Sequence, residues 1–312
     1  MLKPRAFIAI PSATKPNERM ALASKNSRIG DMLLLAEEAP ASPFKAEAYI
    51  TAGTALRKAG QFNFALEQLE KGLAITPSDL QGLREKSVCM QALAMAGNPE
   101  NRLQSKQHHI QNTLDPTASP EQWRPRKVIL FSGHMVDTPG RETPRFPPEK
   151  REVAAQRISK ELERLDVGAD DLALTQGACG GDILFTEACL QRHVKVHWLQ
   201  PYDEPDFIQR SVLPGGEVWR NRYQKIKPQL AAPILSAPAT LGEPPKHSGH
   251  GYAYVRCNLW LLYTALAYGV DRVVFLCLWD GEGGSSPGGT AHMYEEVNQR
   301  TGKVIRIDSH SL

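Results

Sequence analysis

Cysteine is scarce and scattered in this chain. Five residues among 312 (Cys89, Cys179, Cys189, Cys257 and Cys277) include no CxxC pair. That excludes the usual zinc-ligand spacing and a disulfide framework, and reduced, buried thiols in a cytoplasmic protein are expected instead. Long apolar runs are also missing. The run Ala6 to Ile10 is flanked by prolines and is shorter than the roughly 7–15 residues of a secretory signal core. Nothing approaches the roughly 18 apolar residues of a membrane span. Charge of one sign is lacking too. The 37 Lys and Arg against 34 Asp and Glu leave a formal +3, which gives no case for nucleic acid or a membrane surface as a partner. Lys150, Arg151 and Arg157 fall on one amphipathic stretch and read as its solvated face.

What is present is enough for two domains. Hydrophobic residues make up 41% and charged residues 23%, a balance that supports packed cores rather than disorder. Residues 1–43 carry no clear fold signal. Residues 44–113 read as a small all-α domain, beginning with two amphipathic stretches in "FKAEAYITAGTALRKAGQFNFALEQLEKGLAITPSD" broken near "AGQFN". Small residues sit where two helices would cross (Ala52 and Gly53 on the first, Ala65 on the second), with Leu56 and Leu69 beside them. The pattern Tyr49, Ala52, Gly53, Leu56, Ala65, Leu69, Pro77 resembles one tetratricopeptide repeat. "DLQGLREKSVCMQALAMAGN" resembles the first helix of a second, degenerate copy. A solenoid needs about three repeats to bury its faces, so other residues must supply packing surface. The resemblance implies a role in protein–protein contact. An ordinary helical hairpin is the alternative.

Residues 114–126, "LDPTASPEQWRPR", read as a linker. From 127 to 312 the pattern changes. The apolar runs "KVILFS", "LALT", "VKVHWLQ", "RVVFLCLW" and "KVIRID" alternate with amphipathic stretches, which predicts βαβ units: a Rossmann-like, mostly parallel α/β sheet with helices on both faces. Ligands in such sheets sit beyond the carboxyl ends of the strands, so the residues after each strand matter most. Ser132, Gly133, His134, Asp137, Arg141 and Arg145 follow the first. Gly177, Gly180, Gly181 and Asp182 follow the second, and "GEGGSSPGGTAHMYEE", with Gly288, Gly289, Thr290 and Glu295, follows "RVVFLCLWD".

Two glycine-rich turns that each enter a helix suit phosphate. A helix start presents unpaired N–H groups and partial positive charge, and glycine removes the Cβ that would hold an anion away. Neither turn is a GxGxxG fingerprint or a P-loop. Arg141 and Arg145 are the candidate phosphate counter-charges. Asp182 reads first as a helix cap, and His134 and His292 as hydrogen-bonding groups. "EVWRNRYQ" and "GYAYVRCN" mix aromatics with arginines, and read as helix packing with a polar rim. The proline- and glycine-rich stretch "SAPATLGEPPKHSGHGY" has the length of a lid.

"FSGH", "GGDILF" entering a helix, and "PGGT" after "LWDG" together resemble the SLOG superfamily. These are Rossmann-like domains related to the lonely-guy phosphoribohydrolases and to bacterial sensors of nucleotide-derived signals. The resemblance covers about residues 126–312. It implies a nucleotide-derived ligand, and with helical repeats ahead of it a place in bacterial signalling or defence; the sequence itself gives no evidence of a metal or a cofactor. The lonely-guy signature PGGxGTxxE, laid on this chain, puts Pro287, Gly288, Gly289 and Glu295 in register, with Ala291 and His292 replacing its later glycine and threonine. If the chain is an enzyme, the resemblance implies an N-glycosidase acting on a nucleoside monophosphate, with Glu295 steadying an oxocarbenium-like ribose. Binding without hydrolysis is the leading expectation, and self-association into a homo-oligomer is compatible with the sequence.

Overall fold

The computed structural model describes residues 15–97, 123–245, 251–282, 287–301 and 303–312. The N-terminal apolar run, residues 98–113 of the expected helical domain, most of the linker, the middle of the lid stretch and Ser285–Ser286 lie outside the described residues. The chain divides into two compact units: Met20–Arg124, and Pro125–Leu312 together with the residues up to Arg19.

After α1 (Pro16–Lys25), the helical unit contains α2 (Ile29–Glu38), α3 (Pro43–Lys58), α4 (Phe62–Ile75) and α5 (Leu80–Gly97). Pro43 opens α3, where its missing N–H leaves no helical bond unmade. Small residues let α3 and α4 approach, as their spacing predicts. Ala52 and Ala65 are fully buried, and a Cβ on Gly53 would lie 2.7 Å from Leu69 Cγ. The packing surface this pair needs comes from α2, which lies against α3 and buries Met32, Leu33, Leu34 and Leu35. α5 packs on α4 and leaves Leu80, Leu83, Met90 and Met95 exposed.

The second unit is a six-stranded, all-parallel α/β sheet. Its elements run β1 (Val128–Gly133), α6 (Arg151–Arg164), β2 (Leu172–Thr175), α7 (Gly181–Leu190), β3 (Lys195–Gln200), α8 (Glu204–Phe207), α9 (Glu217–Ile226), β4 (Leu235–Ser236), α10 (Ala237–Leu241), α11 (Tyr252–Leu266), β5 (Val273–Trp279), α12 (Thr290–Arg300) and β6 (Val304–Asp308). The strand order is β4-β3-β2-β1-β5-β6. From β1 the chain winds outward through β2 and β3 to β4, then crosses back to place β5 on the other side of β1. The order therefore reverses between β1 and β5, which defines the switch point of the sheet. Five of the strands match the sequence expectation; β4, with two residues, was not foreseen.

Strand residues alternate between faces. Ile129 and Phe131 enter a core built with Ala154, Ile158 and Leu162 of α6, Ile183 and Phe185 of α7, and Trp219 and Tyr223 of α9. Phe131 and Phe185 stack with ring centroids 4.4 Å apart. α11 and α12 pack on each other and on the opposite side of the central strands, where Trp260, Leu261, Met293 and Val297 are buried outside that core. Arg126, counted with the linker from sequence, is tied to this unit through Asp166 and Asp171.

In the helical unit Leu69 is fully buried against Gly53. Leu69→Ala is expected to cost about 2–5 kcal/mol of stability, and Glu67→Ala, at an exposed position, under about 0.5 kcal/mol. Urea unfolding followed by circular dichroism measures both.

Candidate functional site

The loops after β1, β2 and β5 meet at one rim of the sheet. Ser132 Oγ, at the end of β1, lies 3.3 Å from Thr290 Oγ1 at the start of α12. His134 fastens three elements. Its N–H donates to Leu278 O of β5 at 3.0 Å, its carbonyl accepts from Gly181 N of α7 at 3.0 Å, and its Nε2 sits against Asp280, 3.2 Å from the backbone nitrogen and 3.1 Å from Oδ2. Burial pushes the His134 pKa below the ordinary imidazole value despite the pull of Asp280, so a neutral ring fits this role. Burial would by itself raise Asp280, but the Glu282 amide and His134 outweigh it and hold the carboxyl below its usual range.

The turn after β2 is closed by its own chain. Asp182 is buried and accepts from three backbone amides at 3.2 Å: Gly133 N through Oδ1, Gly177 N and Ala178 N through Oδ2. Cys179 N donates to Ser211 O at 2.8 Å, and Gly181 N is taken by His134. Asp182 therefore holds this turn, and the amides of Gly177, Ala178, Cys179 and Gly181 are already paired. The glycines here are bare for a related reason. A Cβ on Gly180, whose φ is +94°, would lie 2.5 Å from Val136 N. Gly133 and Gly181 stand face to face, a Cβ on either coming within 3.0 Å of the other's Cα, and Gly177 lies against the Trp198 ring.

The turn after β5 is different. Gly288 is buried with φ +80°, and a Cβ there would lie 2.4 Å from Val255 N, so its lack of a side chain also serves packing. Gly289, however, is exposed and stands at the N-cap of the eleven-residue α12 with no side-chain cap. Thr290 is buried beside Ser132. This helix start leaves its first amides uncovered by any capping side chain, which suits an anion.

Arg145 lies on the loop after β1. Asp137 Oδ2 accepts from the amides of Arg145 and Phe146 at 2.7 and 2.8 Å and closes that loop. Arg145 is half-buried among the charges of Arg141, Asp280 and Asp137, with burial pushing its pKa down. Its buried Nε has no hydrogen-bond acceptor among the described residues. Arg141 serves its own loop instead, donating to Thr143 O at 2.9 Å and lying 3.3 Å from Asp137 Oδ1. Glu295 is exposed on α12, while its neighbour Glu296 pairs with Arg300 and faces His292. Among the described residues no cluster of His, Cys, Asp or Glu could hold a metal ion, and no helix is long and apolar enough to cross a membrane.

The sequence reading missed Asn258, Gln176 and Asp280. Asn258 is buried on α11, donates to Gly288 O at 2.8 Å and accepts from Gln176 Nε2 at 3.0 Å; its Nδ2 also lies 3.3 Å from His292 Nδ1. A lone amide inside the apolar run "CNLWLL" was the available signal. Tyr254, one turn earlier, touches the Gly288 position, meets Tyr202 edge-on with centroids 5.4 Å apart and lies 3.2 Å from Ser211 Oγ. The two glycine turns are thus joined by side chains along one rim. No family model matches the chain, and comparison with curated proteins finds no significant relative.

Burial raises the Asp182 carboxyl to about 6 against the pull of its three amides. Because the folded-state pKa lies above the ordinary carboxylate value, proton uptake favours the folded protein. That contribution is complete below about pH 4 and is lost as pH rises through about 6. The stability lead of wild type over Asp182→Asn is therefore expected to narrow by about 2 kcal/mol between pH 4 and pH 7, read from urea midpoints across that range.

Proposed function

We propose that the α/β unit binds a nucleotide-derived anion at the rim between β1 and β5. The phosphate sits over Gly289 and Thr290 at the start of α12, with Ser132 beside it and Arg145 as its counter-charge. The observation that carries this is Arg145. A half-buried guanidinium with an unpaired Nε beside the switch point of a parallel sheet suits phosphate oxygens, which its planar fork matches. The uncapped helix start supports the same reading.

The likeness to the SLOG superfamily enters here as part of the proposal, and it favours a bound signal over a reaction. Asp137, Asp182 and Asp280, the buried carboxylates of the rim, are engaged by backbone amides, Arg141 and His134, and Glu295 is exposed on α12. None is placed as a free acid–base pair around a sugar. The helical unit, tetratricopeptide-like in its small-residue crossing, supplies a contact surface for a protein partner; the exposed Leu83 and Met90 on α5 belong to that face. The five buried free thiols fit a reducing compartment such as the cytoplasm.

Thermal denaturation of the purified chain is expected to shift upward by several degrees with millimolar concentrations of at least one nucleoside mono- or diphosphate. Arg145→Ala is expected to weaken that ligand at least tenfold. Chromatography of overnight mixtures is expected to show no released base. Absence of any shift across the common nucleotides would overturn the reading.

A further inference from the structure

The rim has a hydrogen-bonding polarity that its backbone imposes. Asn258 directs Nδ2 to Gly288 O at 2.8 Å and toward Gly289 O at 3.4 Å. Carbonyl oxygens only accept, so the nitrogen of this amide is fixed on that side. Its Oδ1 is consequently turned to Gln176, whose Nε2 donates to it at 3.0 Å. Gln176 Oε1 is the remaining half of that amide. It stands half-exposed just beyond β2, and no hydrogen bond from the described residues reaches it.

Gln200, the last residue of β3, repeats the arrangement. Its Nε2 donates to Gln176 O at 3.2 Å and to Tyr223 Oη at 3.0 Å. The carbonyl again fixes the amide, and Gln200 Oε1 is left buried without a donor. Two neighbouring strand ends therefore each carry an unpaired amide oxygen that accepts and does not donate. The buried Gln200 oxygen is costly in that state, whereas the half-exposed Gln176 oxygen is open to water or to a ligand.

We infer, resting on the reading that this rim binds a nucleotide, that Gln176, held in place beside the buried Gln200 amide, selects a base bearing an exocyclic amine. An amino group brings N–H donors to the Gln176 oxygen. The oxo counterpart brings a lone pair against a lone pair, and a site that hydrogen-bonds one substituent rejects the analogue lacking it more strongly than an apolar pocket would. Gln176 touches the ligand directly, and Asn258 is a positioning residue that holds the Gln176 amide in its accepting orientation.

Isothermal titration of the full chain with AMP, GMP, CMP, IMP and UMP tests this. The tightest ligand is expected to be AMP, GMP or CMP, with its counterpart (IMP for the purines, UMP for CMP) at least tenfold weaker. Gln176→Leu, at a half-exposed position, is expected to reduce that ratio below threefold while phosphate-dependent binding persists. Asn258→Leu, which frees the Gln176 amide to turn and removes the donor to Gly288 O, is expected to lower the ratio likewise and to weaken phosphate-dependent binding as well; should this buried substitution fail to fold, Gln176→Leu decides alone. Equal affinities within a pair, or a preference that survives Gln176→Leu, overturn the inference and leave nucleotide binding standing. Binding of none of the five overturns the nucleotide reading and this inference together.

Discussion

The carboxylate of Asp182, buried under the carboxyl edge of the sheet, accepts the amide of Gly133 at the end of β1 and the amides of Gly177 and Ala178 after β2. Those three N–H groups sit where strand pairing has stopped and helix bonding has not begun. Left unpaired, each would cost about 1–3 kcal/mol. Meeting them from one side chain in the first turn of α7 draws β1, β2 and α7 to a single point. That convergence is close enough for Gly133 and Gly181 to touch backbone to backbone. The position of every other rim residue follows from it, because His134 begins immediately after Gly133 and carries the connection on to β5 and Asp280.

Serving the turn after β2 in this way also sets what each turn can do. An internal anion already occupies the Gly177 and Ala178 amides of the first glycine turn, and carbonyls take those of Cys179 and Gly181, so that turn serves mainly as scaffold. The second enters α12 through exposed Gly289 with no capping side chain. On the proposed reading the external anion goes there, and it goes there because Asp182 has taken the alternative. Two turns that look equivalent as strings of glycine thus differ in electrostatic state. The difference arises from one carboxylate a few residues downstream of the first.

Much of the fold was legible in sequence because its strands are buried on both faces, and such strands read as continuous apolar runs; "LALT" is β2 to the residue. β4 has two residues, too few for any run. α2 escaped for the opposite reason. Residues Gly30 to Ala36 are all buried, so the helix lacks the polar stripe by which an amphipathic segment is recognised. At the site, position was readable and pairing was not. The glycines and Asp182 stood out by type and place, yet whether an amide faces solvent or a carboxylate depends on contacts between elements distant in the chain. Arg141 and Arg145 are four residues apart on one loop, and only the fold separates the one bonded to its own loop from the one with an unpaired nitrogen.

Asn258 joins the two ends of the proposed site into one mechanical unit. The same side-chain amide that fixes Gln176 through Oδ1 also holds the carbonyls of Gly288 and Gly289 through Nδ2, the residues that shape the entry to α12. Any shift of the β5–α12 turn on meeting an anion pulls on the Asn258 amide whose Oδ1 orients Gln176. Conversely, a base held by Gln176 stabilises the conformation in which Gly289 is presented. A ligand that engages both ends gains from each contact the other has already ordered, whereas free phosphate or free base gains from one alone. On this argument the rim favours an intact nucleotide over its fragments through the wiring of a single buried amide, without needing a lid to close over it.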